Sequence, residues 1–343
     1  MNLILDVILF LVGLVLIVKG ADWLTDGAAS IAHRLRIPTL VIGLTIVAIG
    51  TSAPEFVVSL MGALRHSPDI AIGNVVGSNI FNIFAIIGCT AMIMPITMTR
   101  NNVTRDLPIM VLTQFVLFAM LIDTKLDPNA TSDNLGRGDG IVLLCMFAIF
   151  MYYTVWIARK ERKKMPATEQ ASDMSEKMPQ WLPTQVKHWP VAVYIGMIAV
   201  GLGCLIVGGD WMVDGASGIA KSLGVSDAII ALTIVSIGTS APELATSIMA
   251  ARKGDNEMAI GNIVGSVVFN TLLILGASAV VYPLPMVGIT MTDMYILLTA
   301  ALLFWGSAKF GTRRYMITRG EGAFMVAIQI AYYVYLVIKE VRI

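Results

Sequence analysis

The chain has 343 residues, of which 57% are hydrophobic and only 14% are charged, and its mean hydropathy is +0.78. Because soluble domains carry close to a quarter charged residues, this composition excludes an ordinary soluble protein and predicts a polytopic membrane protein. The net charge of +1 is uninformative about partners, and no nucleic-acid or obligatory protein partner is indicated. The three cysteines are isolated, without the spacing of a metal site or a disulfide framework.

Ten apolar stretches, each about long enough to span a membrane, follow one another along the chain. The predicted fold class is therefore all-α, a polytopic membrane protein with ten transmembrane helices. The first stretch lacks the basic region and cleavage site of a signal peptide, so it is interpreted as a retained span. The first and sixth helices are expected to continue beyond their apolar parts, to about residues 32 and 220. The apolar stretches cover about residues 3–20, 37–63, 69–95, 107–122, 139–158, 190–208, 226–251, 257–283, 289–307 and 322–338.

A hydrophilic segment, residues 159–189, separates the fifth span from the sixth and is interpreted as a linker. The predicted domains are a first five-helix repeat, residues 1–158, and a second, residues 190–343. Loops on the side of the linker hold 17 Lys and Arg residues, whereas the opposite side, with both tails, holds 6. The positive-inside rule therefore predicts a cytoplasmic linker and termini outside, in a multi-pass protein of the cell membrane.

The segment IGLTIVAIGTSAPEFVVSLM at 42–61 recurs as IALTIVSIGTSAPELATSIM at 230–249, 188 residues later. This correspondence runs without a gap from Gly20 to Gly88, and 35 of the 69 aligned pairs are identical. Since each half holds an odd number of spans, two inverted repeats are predicted, with repeated motifs at 37–95 and 226–283. A duplication kept only for packing is the alternative, and the polar, Gly-rich character of the best-matched residues disfavours it.

Each copy places one glutamate, Glu55 or Glu243, inside an apolar stretch. A charge at that depth costs roughly 2.5–3.5 kcal/mol on insertion scales, so a functional reason is expected. Pro54 and Pro242 cannot donate to the carbonyl four residues earlier, which predicts broken helices with free carbonyls. Carboxylate, hydroxyl and carbonyl oxygens are hard ligands that suit Na⁺ or Ca²⁺.

The next span in each half adds polar side chains at intervals of four residues. Asn74 and Asn262 begin these two stripes, and an interhelical hydrogen bond is the alternative role for them. A pocket that combines both glutamates with the remaining polar residues would carry a formal charge of −2, which balances one divalent or two monovalent cations. The predicted pocket residues are Glu55, Glu243, Ser52, Ser240, Ser78, Ser266, Asn82 and Asn270.

The paired motifs GTSAPE and GNVVGSNIFN resemble the α-repeats of the sodium/calcium exchanger superfamily, the cation/Ca²⁺ antiporters, in a prokaryotic type with a short central loop. The resemblance covers essentially the whole chain and implies exchange of Na⁺ for Ca²⁺, with no cofactor and no enzymatic activity. It implies that Ca²⁺ is held by Glu55 and Glu243 and by the carbonyls of Thr51 and Thr239. By position, Ser52, Ser240, Asn82 and Asn270 resemble residues around the midplane, and Ser78, Ser266 and the backbone at Ala48 and Ser236 resemble Na⁺ ligands.

Asn270 departs from the family pattern, since many relatives have Asp at this position. A proton is therefore not expected to bind there, and the Na⁺ stoichiometry and any K⁺ dependence stay open. H⁺/Ca²⁺ exchange and K⁺-dependent Na⁺/Ca²⁺ exchange are the alternative functions. A passive channel is disfavoured because the polar helices lack a ring of charges, and an intramembrane protease because its catalytic residue patterns do not occur.

Two further acidic pairs lie near the ends of the first and sixth spans. Asp22 and Asp26 are four residues apart, and Asp210 and Asp214 repeat this spacing. They are interpreted either as the lining of an ion entrance or as solvated helix ends, so they are not assigned to the site.

Overall fold

The computed structural model describes residues 3–35, 37–126, 132–164, 189–222, 236–286 and 289–341. These residues form helices that are joined by short loops and by four strands of two residues each. The helices are α1 (Leu3–Leu35), α2 (Thr39–Thr51), α3 (Ala53–Leu64), α4 (Pro68–Phe81, continued through Asn82–Ile86 and Ile87–Ile93), α5 (Asn102–Met120), α6 (Asp123–Leu126), α7 (Arg137–Lys164), α8 (Val191–Ser222), α9 (Ser236–Thr239), α10 (Ala241–Arg252), α11 (Asn256–Val281), α12 (Met291–Phe310) and α13 (Arg319–Val341). The strands are β1 (Ile96–Thr97), β2 (Asn134–Leu135), β3 (Leu284–Pro285) and β4 (Met316–Ile317).

The described helices agree with a multi-pass membrane protein. Eight of them are long and apolar enough to cross a membrane, and the bent pair α2–α3, counted as one span, brings the number to nine. The predicted span at 226–251 is described only from residue 236, as α9 and α10, so the count of ten stays a prediction. Helix α7 continues to Lys164, past the predicted start of the linker at 159, and residues 165–188 of that linker lie outside the described ranges.

Helices α1 and α8 are long, as predicted, and they pack against each other through glycines. A Cβ atom on Gly13 would lie 2.7 Å from the carbonyl oxygen of Gly208, and one on Gly20 would lie 2.7 Å from that of Gly201. The contact points run in opposite chain directions, so the two helices are antiparallel. Backbones this close leave no room for a side chain, which explains the glycines at seven-residue spacing along this interface.

Helix α13 packs on α4, and helix α7 packs on α11. A Cβ on Gly88 in α4 would lie 2.8 Å from the carbonyl oxygen of Gly322 in α13, and one on Gly140 in α7 would lie 2.7 Å from that of Gly276 in α11. The strands also pair between the two halves of the chain: β1 pairs with β4 and β2 pairs with β3, both antiparallel. Residues 1–158 and 190–343 are therefore intertwined rather than two separate bodies.

Burial separates central helices from peripheral ones. Helices α4 and α11 are mostly buried, whereas α1, α7 and α13 expose about half of their apolar residues. Phe310 is 77% exposed, Tyr152 73% and Ile4 70%. Such an apolar surface would aggregate in water but is compatible with contact to lipid. The central helices α4 and α11 are shielded from both water and lipid.

Candidate functional site

Both copies of the GTSAPE motif break a helix where the prolines predict it. The axes of α2 and α3 differ by 50°. Between them Ser52 has φ −83° and ψ 10°, and between α9 and α10 Ser240 has φ −92° and ψ 7°. Pro54 and Pro242 occupy the first turn of the helix that follows each break, where a missing N–H costs nothing. The predicted interruptions are therefore confirmed.

The two glutamates meet across the interface of the repeats. Glu55 and Glu243 lie in the first turns of α3 and α10, and both side chains are 0% exposed. The hydroxyl of Ser52 donates to Glu243 Oε1 at 2.8 Å, and the hydroxyl of Ser240 donates to Glu55 Oε1 at 3.2 Å. Helix N-termini favour negative charge, so the broken helices stabilise two carboxylates at one place.

Several oxygens of this site have no hydrogen donor. The Oε2 atoms of Glu55 and Glu243, and the Oδ1 atoms of Asn82 and Asn270, are buried without a hydrogen-bond partner among the described residues. Buried polar atoms are normally paired, so four such oxygens in the residues predicted to form one site are unusual. Hard cations bind oxygens of this kind. The two serines of the polar stripes are also buried, with Ser78 2% and Ser266 0% exposed, and Ser266 Oγ has no hydrogen-bond partner among the described residues.

Asn74 and Asn262 hold the half-helices in place. The Asn74 amide nitrogen donates to the carbonyl of Glu55 at 3.2 Å and to the hydroxyl of Ser59 at 2.9 Å. Asn262 makes the equivalent two bonds in the second copy, at 3.3 and 3.0 Å. The interhelical hydrogen bonds considered for these two residues are therefore confirmed. Each asparagine binds the backbone carbonyl of one glutamate and so holds that part of the half-helix in position.

The remaining predicted ligands lie at the helix breaks. Thr51 and Ala48 are fully buried, and the carbonyl of Ala48 accepts the N–H of Ser52 at 3.0 Å. Thr239 ends α9 and is half-buried. Ser236 begins α9, and its side chain lies outside the described part of the chain. Ion coordination by these residues stays a prediction.

Both asparagines of the pocket start a wide, π-helical turn. These turns are Asn82–Ile86 in α4 and Asn270–Ile274 in α11. Such turns often mark functional sites, because the inserted residue changes the direction of nearby side chains. No residue pattern in these segments signals a π turn, so sequence reasoning missed the feature.

Lys253 forms ion pairs with the first of the two acidic pairs, Asp22 and Asp26. Its Nζ lies 2.5 Å from Asp22 Oδ1 and 2.6 Å from Asp26 Oδ1, which joins the end of α10 to α1. The counterparts Asp210 and Asp214 on α8 are exposed. The first pair is thus bound to a cationic side chain rather than simply solvated.

Comparison with known proteins shows which family this chain belongs to. The chain matches the sodium/calcium exchanger protein family over residues 5–156 and 193–339. It belongs to the sodium/calcium exchanger family. This exchanger is 36% identical over 328 residues to the putative antiporter CaxA of Alkalimonas amylolytica, across 95% of this chain and 96% of the relative.

Two further likenesses extend over almost the full length of this exchanger. The sodium/calcium exchanger MaX1 of Methanosarcina acetivorans is 28% identical over 346 residues, covering 96% of this chain and 97% of that protein. A structure of the sodium-calcium exchanger NCX_Mj, soaked with zero Na⁺ and Ca²⁺, superposes with a TM-score of 0.77 and 32% identity, covering 98% and 100% of the two chains. The family consists of membrane transporters rather than enzymes, as the sequence predicts.

Proposed function

We propose that this exchanger is a secondary active antiporter, which moves Ca²⁺ against Na⁺ by alternating access to a midplane site. The crossed hydrogen bonds from Ser52 to Glu243 and from Ser240 to Glu55 carry this proposal. They hold two buried carboxylates together, with a formal charge of −2. One Ca²⁺ or two Na⁺ ions neutralise that charge, so the two loads compete and neither leaves a buried net charge.

The proposed ligands follow the two broken helices. Ca²⁺ is bound by the carboxylates of Glu55 and Glu243 and by the carbonyls of Thr51 and Thr239. Na⁺ binds partly overlapping positions, so occupancy by one ion excludes the other. The Na⁺ positions use Ser78, Ser266 and the backbone at Ala48 and Ser236, and Ser52, Ser240, Asn82 and Asn270 complete the pocket.

The proposed architecture has ten transmembrane helices in two inverted five-helix repeats, residues 1–158 and 190–343. The cytoplasmic linker 159–189 joins them, and both termini lie outside the cell membrane. Matching turns support this arrangement, because His66 after α3 and Gly254 after α10 are counterparts in the repeat and have φ values of 57° and 80°. An inverted pair of halves supplies two similar pathways on opposite sides of one site.

Uptake of radioactive Ca²⁺ by proteoliposomes tests the proposal, with Na⁺, K⁺ and pH gradients imposed separately. We expect an outward Na⁺ gradient to drive uptake without K⁺, and a pH gradient alone to drive none. H⁺/Ca²⁺ exchange is the second candidate, because two buried carboxylates are also able to carry protons. Uptake driven by pH alone would establish that function instead, and a requirement for K⁺ would establish K⁺-dependent exchange.

A further inference from the structure

We propose that Asn79 is a positioning residue for ion binding. It orients the side-chain amide of Asn270 so that the amide oxygen, rather than the nitrogen, is presented to the transported cation. This inference rests on the proposed function, because it takes Asn270 as part of the ion site. The residues that set this orientation form a buried hydrogen-bond network on α4, α5 and α11.

The network begins at a hydroxyl whose proton has a defined acceptor. Thr271 Oγ1 donates to the backbone carbonyl of Val267 at 2.9 Å, and a second acceptor, Gln114 Oε1, lies farther away at 3.4 Å. Since a hydroxyl has one proton, this oxygen is then left to accept. Asn79 Nδ2 lies 2.9 Å from it, so the NH₂ group of Asn79 faces Thr271.

A second threonine orients the neighbouring amide in the same way. Thr113 Oγ1 donates to the carbonyl of Met110 at 2.7 Å, so it accepts from Gln114 Nε2 at 2.9 Å. Gln114 Nε2 also reaches Thr271 Oγ1 at 3.1 Å. The side chains of Thr113, Gln114 and Thr271 are at most 2% exposed, so water does not compete for these bonds.

The orientation of Asn79 determines that of Asn270. With its NH₂ group on Thr271, Asn79 presents Oδ1 to the other side, where Asn270 Nδ2 donates to it at 3.1 Å. Turning the Asn79 amide over would oppose two NH₂ groups and remove a donor from Thr271. Asn270 Oδ1 therefore points away from Asn79, and it is buried without a partner among the described residues.

The first repeat lacks this device. The counterpart of Asn79 is Val267, which has no polar side-chain atom to offer to Asn82. Accordingly, both amide atoms of Asn82 are unpartnered within the described part of the chain. Among the described residues, Asn270 is oriented in advance and Asn82 is not, and an oriented oxygen spares the site a rearrangement when a cation binds.

The substitution Asn79→Val tests the proposal, because valine already occupies the equivalent place in the other repeat. Calorimetry of the purified protein with Ca²⁺ alone measures the dissociation constant without any transport. We expect Asn79→Val to raise that constant by about tenfold, as for loss of one buried hydrogen bond. The maximal rate of Na⁺-driven uptake should change by less than about twofold, because saturating Ca²⁺ compensates for weaker binding.

The same substitution in an Asn270→Asp background separates positioning from a structural role. A carboxylate has an oxygen on each side, so Asn79→Val should weaken Ca²⁺ binding little or not at all there. An equal loss in both backgrounds, or an effect only on the thermal unfolding midpoint, would overturn the proposal. Wild-type protein that binds Ca²⁺ but shows no Na⁺-driven uptake would contradict the Na⁺ coupling of the proposed function but not its Ca²⁺ site, and the dissociation constants of the variants would still decide this inference.

Discussion

Glu55 and Glu243 are compatible with a buried position because each carboxylate is placed where the backbone is electropositive. Each lies in the first turn of a half-helix and accepts one hydrogen bond from a serine hydroxyl of the other repeat. These interactions satisfy only one oxygen of each carboxylate. Two carboxylates held together with free oxygens repel each other unless a cation or a proton joins them, and for this reason we propose the pair as the ion site.

Glu55→Gln and Glu243→Gln should each lower Na⁺-driven Ca²⁺ uptake by at least about 100-fold, since each removes one of two charges that balance Ca²⁺. The amide oxygen of glutamine still accepts the bond from Ser240 or Ser52, so the fold should be preserved. Uptake by proteoliposomes measures the effect. Glu257→Gln, outside the pair, is the control, and transport near the wild-type rate in either variant would disprove the assignment.

The broken helices give the half-helix its N-terminus at the depth of the glutamates. Pro54 lies in the first turn of α3, at a bend of 50° between α2 and α3. An unbroken helix would have neither the free N–H groups nor the direction that α3 takes toward the second repeat. The bend is thus a condition for the crossed Ser–Glu bonds.

Pro54→Ala should reduce Ca²⁺ uptake by at least about tenfold while the protein stays folded. Alanine restores an N–H that can bond the carbonyl of Gly50 and favours a straight helix by about 3 kcal/mol. Uptake and the thermal unfolding midpoint in detergent measure the two effects. Pro68→Ala is the matched control, because Pro68 begins α4 without a break before it in the span. Equal activities of the two variants would show that the bend is not required.

Lys253 joins α10 to α1, and this contact has a measurable energetic role. Lys253→Met should lower the free energy of unfolding by about 1 kcal/mol, a value between those of exposed and buried ion pairs. The loss arises because Asp22 and Asp26 are left near each other without their cation. Adding Asp22→Asn and Asp26→Asn should recover part of it.

Chemical unfolding in detergent measures this difference. Arg252→Met is the neighbouring control, because Arg252 is exposed. If Arg252→Met destabilised the protein as much as Lys253→Met, the ion pair would not be the cause.

In the whole molecule, helices of each half pack on helices of the other half. Helix α13 packs on α4 through Gly322 and Gly88, and α7 packs on α11 through Gly140 and Gly276. Each half therefore depends on the other for the burial of α4 or α11, which carry Asn82 and Asn270 respectively. Either half alone would expose Asn82 or Asn270 to lipid, so the proposed ion site requires both halves.

Labelling of single cysteines tests the inverted arrangement, in a background without Cys89, Cys145 and Cys204. Arg65→Cys follows α3 and Arg252→Cys ends α10, and both positions are exposed. In intact cells, a membrane-impermeant maleimide should label Arg65→Cys at once and Arg252→Cys only after permeabilisation. Labelling of both from the same side would contradict the inverted repeats.

The local features of this protein are predictable from its amino-acid sequence. The repeat, the glutamate in each copy and the prolines beside them identified the helix breaks and the family, since these depend on residue types and spacing along one segment. The long α1 and α8 followed equally from their sequences. The π turns at Asn82 and Asn270 did not, because no residue in those segments demands the wider turn.

Sequence alone therefore specifies which groups are available for the proposed ion site: two carboxylates, interrupted backbones and polar stripes at helical spacing. Folding specifies which group meets which. Ser52 finds Glu243, Asn79 orients Asn270 and Lys253 binds Asp22 across more than 180 residues of chain. Such pairings depend on how helices from two halves pack, and packing is set by close glycine contacts and burial over the whole molecule rather than by any local pattern.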